Sequence, residues 1–150
     1  MAVKRVPLQA AAAQLGALKI FADSNGDVIA HAGVKVGSFT RDLSTPNGTQ
    51  SVTGVGFHPS AVIFFACVND TKGMSVGMGD GVSMGCVIDG DPTVKDVYLG
   101  YSIFIIDLYL TAANAASAVI TSLDTDGFTI TWSKSGSPTG VCQVFYLSFR

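Results

Sequence analysis

Any hydrolytic or metal chemistry in this chain must be assembled from two histidines, His31 and His58, three cysteines and eleven acidic residues. Neither histidine stands in a metal-pair spacing or beside a nucleophile motif. His58 directly precedes Pro59 and is expected to be a turn histidine between strands. Two carboxylate pairs, Asp89 with Asp91 and Asp124 with Asp126, have a spacing that could serve acid and base work. Both flank glycine or proline, where aspartate is favoured simply because it builds turns. Residues 23–27, Asp-Ser-Asn-Gly-Asp, alternate oxygen side chains as calcium loops do. Their glycine comes two places early, however, and no terminal glutamate follows. The glycine string Gly73, Gly77, Gly79, Gly81 and Gly85 lacks the Lys-Ser or Lys-Thr pair of a phosphate loop. Its glycines are expected at bulges, bends and close backbone approaches. Cys67, Cys86 and Cys142 are odd in number and far apart, which fits neither a disulfide framework nor a zinc site. Each lies in an apolar run and is expected to be a buried free thiol. The residues therefore predict no catalytic set, no cofactor and no metal. The one enzymatic rival is a small hydrolase with Asp124 and Asp126 as its acid pair.

The elements that would position these residues are short apolar runs divided by Gly, Asn, Asp, Ser and Pro, which predicts an all-β antiparallel sandwich. Asn25-Gly26 between residues 18–22 and 28–31 marks a hairpin. Further strands are expected at 34–39, 50–55, 61–68, 74–78, 82–88, 97–110, 118–121, 127–133 and 141–149. Phe128, Ile130 and Trp132 alternate with Thr129, Thr131 and Ser133, so that strand lines a core on one side and meets water on the other. Only residues 1–17, with the alanines at 10–13, have helix propensity, and they suit a short helix or an arm equally. The domain division expected is an arm and hairpin over 1–33 and a β-sandwich over 34–150.

Charged residues make up 13% of the chain, about half the usual share, and the net charge is −2 with nine scattered lysines and arginines. That distribution argues against gripping a nucleic-acid backbone. No apolar run is long enough to span a bilayer as a helix. Lys4 and Arg5 ahead of the alanine tract faintly resemble a secretory leader, but Gln14 and Lys19 interrupt its apolar region. Residues 61–68, 101–106 and 141–149 are apolar at consecutive positions, more than one buried face requires. The second face needs a cover, and a neighbouring subunit is the simplest one. A homo-oligomer is expected, with Phe64, Phe104 and Phe145 at its interface.

Two segments carry a resemblance. Gly54-Val55-Gly56-Phe57-His58-Pro59-Ser60-Ala61-Val62-Ile63-Phe64-Phe65 near the middle is followed, after the glycine-rich stretch, by a segment at the end that holds Asp126-Gly127-Phe128-Thr129-Ile130-Thr131-Trp132 with the closing aromatic strand Val144-Phe145-Tyr146-Leu147-Ser148-Phe149. This layout resembles bacteriophage structural proteins and is similar to H-type lectin-like domains, over roughly residues 34–150. The resemblance implies a small antiparallel sandwich that associates as a homotrimer on the virion surface, made in the host cytoplasm. It implies a tail-fibre or receptor-binding component that contacts other virion proteins and a host-surface glycan. A head decoration protein that cements the capsid, or a lectin outside any virion, are the alternatives. No sugar-contacting residue is carried over from the resemblance.

Overall fold

The computed structural model describes residues 33–68, 73–89 and 103–150, with the strand backbones at 20–22, 28–30 and 97–100. Among the described residues every element is a strand, and no helix is long and apolar enough to cross a membrane. The chain divides into two units, Met1–Val34 and Lys35–Arg150. In the first, β1 (Ile20–Ala22) pairs antiparallel with β2 (Val28–Ala30), Phe21 opposite Ile29, so the expected hairpin forms. Its turn residues 23–27, His31 and the expected helix or arm at 1–17 lie outside the described residues.

The remaining strands are β3 (Val34–Asp42), β4 (Gly48–Thr53), β5 (Ala61–Val68), β6 (Met74–Gly79), β7 (Met84–Asp89), β8 (Val97–Gly100), β9 (Ile106–Thr111), β10 (Asn114–Asp124), β11 (Gly127–Ser135) and β12 (Val141–Phe149). They form a four-stranded sheet in the order β4-β11-β10-β9 and a six-stranded sheet in the order β3-β12-β5-β6-β7-β8. The sheets pack face to face as the antiparallel β-sandwich that the sequence predicts.

The core follows from period-two alternation. Val62, Phe64, Ala66 and Val68 of β5 and Cys142, Val144 and Tyr146 of β12 face inward, and Phe128, Ile130 and Trp132 of β11 meet them from the other sheet. Phe128 is central. Its ring stands edge-on to Phe64 at 5.4 Å and to Tyr146 at 5.1 Å, the geometry favoured by the aromatic quadrupole. Buried Trp132 keeps its indole N–H satisfied by donating to Gln50 Oε1 at 3.0 Å.

One strand expectation is corrected. Residues 97–110 are not a single strand: β8 belongs to the six-stranded sheet and β9 to the four-stranded sheet. Ile105 and Ile106 are both wholly buried although adjacent, which a straight half-buried strand forbids. The chain crosses between layers here, and the Ile105 amide bonds the Ala118 carbonyl at 2.9 Å as it arrives. The adjacent buried pair Ile105 and Ile106 is thus explained by the crossing, without a second covered face. Gly77 of β6 permits it, because a side-chain carbon there would overlap the Ile105 carbonyl.

Candidate interaction surface

The residues singled out for chemistry are engaged in turns. Asp126 Oδ2 accepts the Gly54 amide at 3.1 Å and its Oδ1 accepts the Gly56 amide. Gly54 and Gly56 have φ of 81° and 88°, backbone that only glycine adopts without strain. One carboxylate therefore ties the Gly-x-Gly-Phe-His-Pro segment to the Asp-Gly-Phe turn, so the two stretches that carry the resemblance meet in space. Asp124 Oδ1 accepts the Ser122 hydroxyl and Oδ2 the Thr129 hydroxyl, each at 2.8 Å. The Asp124 carbonyl lies 3.0 Å from Nδ1 of exposed His58. Asp124 and Asp126 thus each have both oxygens engaged locally. Asp91 and the side chain of Asp89 lie outside the described residues.

The glycine string runs along the β6–β7 hairpin. Its turn is closed by Asp80, whose Oδ1 accepts the Val82 amide at 2.9 Å and the Ser83 amide at 2.6 Å. Those bonds, Ser83 first, hold the Asp80 carboxyl below the usual aspartate range. The cysteines divide. Cys86 and Cys142 are buried free thiols as expected, and burial raises both, Cys142 to about 12. Neither is a ready nucleophile, because the thiolate is the reactive form. Cys67 is a correction: it is exposed, since it sits at an outward position of β5. Two buried polar groups lie in the six-stranded sheet. The hydroxyl of Ser75 accepts the Asp107 amide at 3.1 Å, while that of Ser148 has no partner. Burial raises the Asp107 carboxyl. Among the described residues no group of three or more metal-ligating side chains converges.

The two outer faces of the sandwich differ sharply. Outside the four-stranded sheet, hydroxyls satisfy one another across strands: Ser51 with Thr129 at 2.9 Å, Ser117 with Ser133 at 3.0 Å, and Thr121 with Thr131. Outside the six-stranded sheet, the register aligns rows of apolar side chains. One row runs Phe145, Phe65, Val76, Val87 across β12, β5, β6 and β7. The next runs Leu147, Ile63, Met78, Gly85. Phe65 is 49% exposed, Phe145 52% and Met78 57%. Beside these rows lies an open hollow of about 720 Å³, lined by Ile63, Val76, Met78, Gly85, Val87 and Phe149. A side-chain carbon built on Gly85 meets nothing within 4 Å.

Of the three residues expected at an interface, Phe145 lies on this exposed face and Phe104 is half-buried in the connection between the sheets. Phe64 is wholly buried in the intramolecular core, and its sequence neighbour Phe65 takes the outward place. Alternation alone cannot say which of two adjacent phenylalanines points inward when both faces of a strand are apolar. Comparison with known proteins finds no matching family model, no matching curated protein and no matching solved structure.

Proposed function

We propose that this protein is a non-catalytic structural component of a bacteriophage particle surface, a tail-fibre or receptor-binding module that works by self-association and contact with other virion proteins. The observation that carries the assembly part is the apolar outer face of the six-stranded sheet. Soluble monomers rarely leave a contiguous apolar patch of more than a few hundred Å² in water. Along β5, β6, β7 and β12 the described outward side chains include no charged group, with Gln143 their polar exception. The deficit of charged residues in the whole chain supports the same reading. The phage part rests on the sequence resemblance, whose two segments the Asp126 clamp unites. The hydroxyl-lined outer face of the four-stranded sheet is the polar surface left for a host glycan.

Electron microscopy of phage particles labelled with antibody against this chain tests the assignment. Label on tail fibres is the expected result. Label confined to heads would replace it with capsid decoration, and particles without label would overturn the virion role.

A further inference from the structure

We infer that the apolar outer face of the six-stranded sheet is the contact between two copies of this chain, paired about a two-fold axis that runs along β6. This rests on the self-association proposed above and specifies its partner and symmetry. The first observation is area. Phe65 and Phe145, about half exposed, each leave on the order of 100 Å² in water, given aromatic side chains that bury about 150–250 Å². With Met74, Met78, Val87 and Val141 exposed beside them, the six side chains offer on the order of 500–600 Å². Two copies together would then bury on the order of 1,100 Å², just above the roughly 1,000 Å² that a specific interface should clear.

The second observation is shape. Bulk and absence of bulk lie on either side of β6. On one flank, β5 presents Ile63 and Phe65; on the other, β7 presents Gly85, which has no side chain, and Val87, and the hollow reaches across β6 from Phe149 and Ile63 to Gly85 and Val87. A two-fold axis in the contact plane along β6 exchanges these flanks. Ile63 and Phe65 of one copy then lie over Gly85 and Val87 of the other, and the reverse contact is identical, as an isologous interface requires. Val76 and Met78, on the axis, meet their own counterparts. The two faces stack as aligned sheets, each β6 parallel to its counterpart along the axis, with side chains interdigitating over a layer about 10 Å thick. The two facing rows, Phe65-Val76-Val87 and Ile63-Met78-Gly85, hold no charged side chain, and Asp80 lines the hollow beside them as an exposed carboxylate. A three-fold arrangement, in contrast, sets this face against some different surface of its neighbour and leaves the ridge and hollow unmatched.

The test is the molar mass of full-length chain by light scattering, for the unaltered protein and three variants. Gly85→Gln adds bulk to the hollow at a site where an added side-chain carbon meets nothing within 4 Å beyond its chain neighbours. The unaltered protein is expected at twice 15.5 kDa, and Gly85→Gln is expected to lower the apparent dimer affinity at least tenfold while keeping its thermal transition. Phe65→Glu should do the same from the opposite flank, and Thr49→Lys, on the other sheet, should leave the dimer intact. A trimer, or an oligomer indifferent to Gly85→Gln, overturns the two-fold pairing while leaving self-association standing. A monomer overturns both, and assigns the face to a foreign partner.

Discussion

Asp126 shows how much a single side chain does here. Its carboxylate accepts the amides of both Gly54 and Gly56, and its carbonyl also receives the Val55 amide at 3.4 Å. Hydrogen bonds to a charged group are worth about 1.5–3 kcal/mol each, less where water competes as it does at this exposed turn. Asp126→Ala is therefore expected to destabilise by about 1–3 kcal/mol in urea unfolding. His58→Ala, which removes one exposed contact to a carbonyl, should change stability by under about 0.5 kcal/mol. Equal effects of the two substitutions would refute the clamp.

Asp107 sets a pH dependence. Burial raises its carboxyl, so the folded chain holds that proton more tightly than the unfolded chain. The contribution favours folding fully below the unfolded aspartate value and is lost as pH rises from about 4 through the raised folded value. Its neighbours include Cys86, a thiol that is itself raised by burial and feels the Asp107 charge. Asp42 and Asp80 act in the opposite sense. Hydrogen bonds lower both carboxyls, so their contribution is present above the ordinary aspartate value and fades as pH falls through the folded values. Asp107→Asn should thus raise the melting temperature near neutral pH and remove part of the decline that sets in as pH rises above about 4. Parallel melting curves for variant and unaltered chain across that range would contradict the assignment.

At the scale of elements, β5 is the informative strand because both of its faces are apolar for different reasons. Phe64 packs in the core against Phe128, whereas Phe65 lies outside between Phe145 and Val76. Phe64→Ala should cost about 3–5 kcal/mol of folding stability, the usual cavity cost of a buried phenylalanine. Phe65→Ala in a dissociated subunit should cost under about 1 kcal/mol, and its effect should appear in association instead. Chemical denaturation at low and high protein concentration separates the two. A large loss at Phe65 in the dilute subunit would mean that its own chain covers it.

The same strand shows what a sequence can and cannot convey. Residues 61–68 and 141–149 are predicted with the bounds of β5 and β12, because uninterrupted apolar runs end at clear turn residues. The inward set of β11 is legible too, since threonine and serine mark its wet side. Which face of β5 meets the other sheet is not legible: it is fixed by register with β12 and β6, a long-range relation. For the same reason Cys67 is expected inside and lies outside. Residues 97–110 mislead because their apolar residues do not all serve one strand: Ile105 and Ile106 are both buried where the chain enters the second sheet, while Ile103 just before them is exposed. The Asp126 clamp joins positions about seventy apart, and only the pair of glycines and the Asp-Gly dipeptide hint at its ends.

The whole molecule is a sandwich with two unlike outsides, one lined by mutually bonded hydroxyls and one by apolar rows with a hollow. Leaving several large apolar side chains in water forgoes about 1.5–3 kcal/mol for each one fully exposed. That is large against the roughly 5–15 kcal/mol by which a domain of this size is stable. A second protein layer over the six-stranded sheet recovers it, and the polar face then becomes the outside of the assembly. Sedimentation equilibrium from nanomolar to micromolar concentration tests this most directly. The account predicts a mass that rises from 15.5 kDa to a multiple of it, and a Phe145→Glu chain that stays folded at the subunit mass throughout. A folded chain that remains at the subunit mass at every concentration, or a Phe145→Glu chain that assembles as well as the unaltered protein, would contradict it.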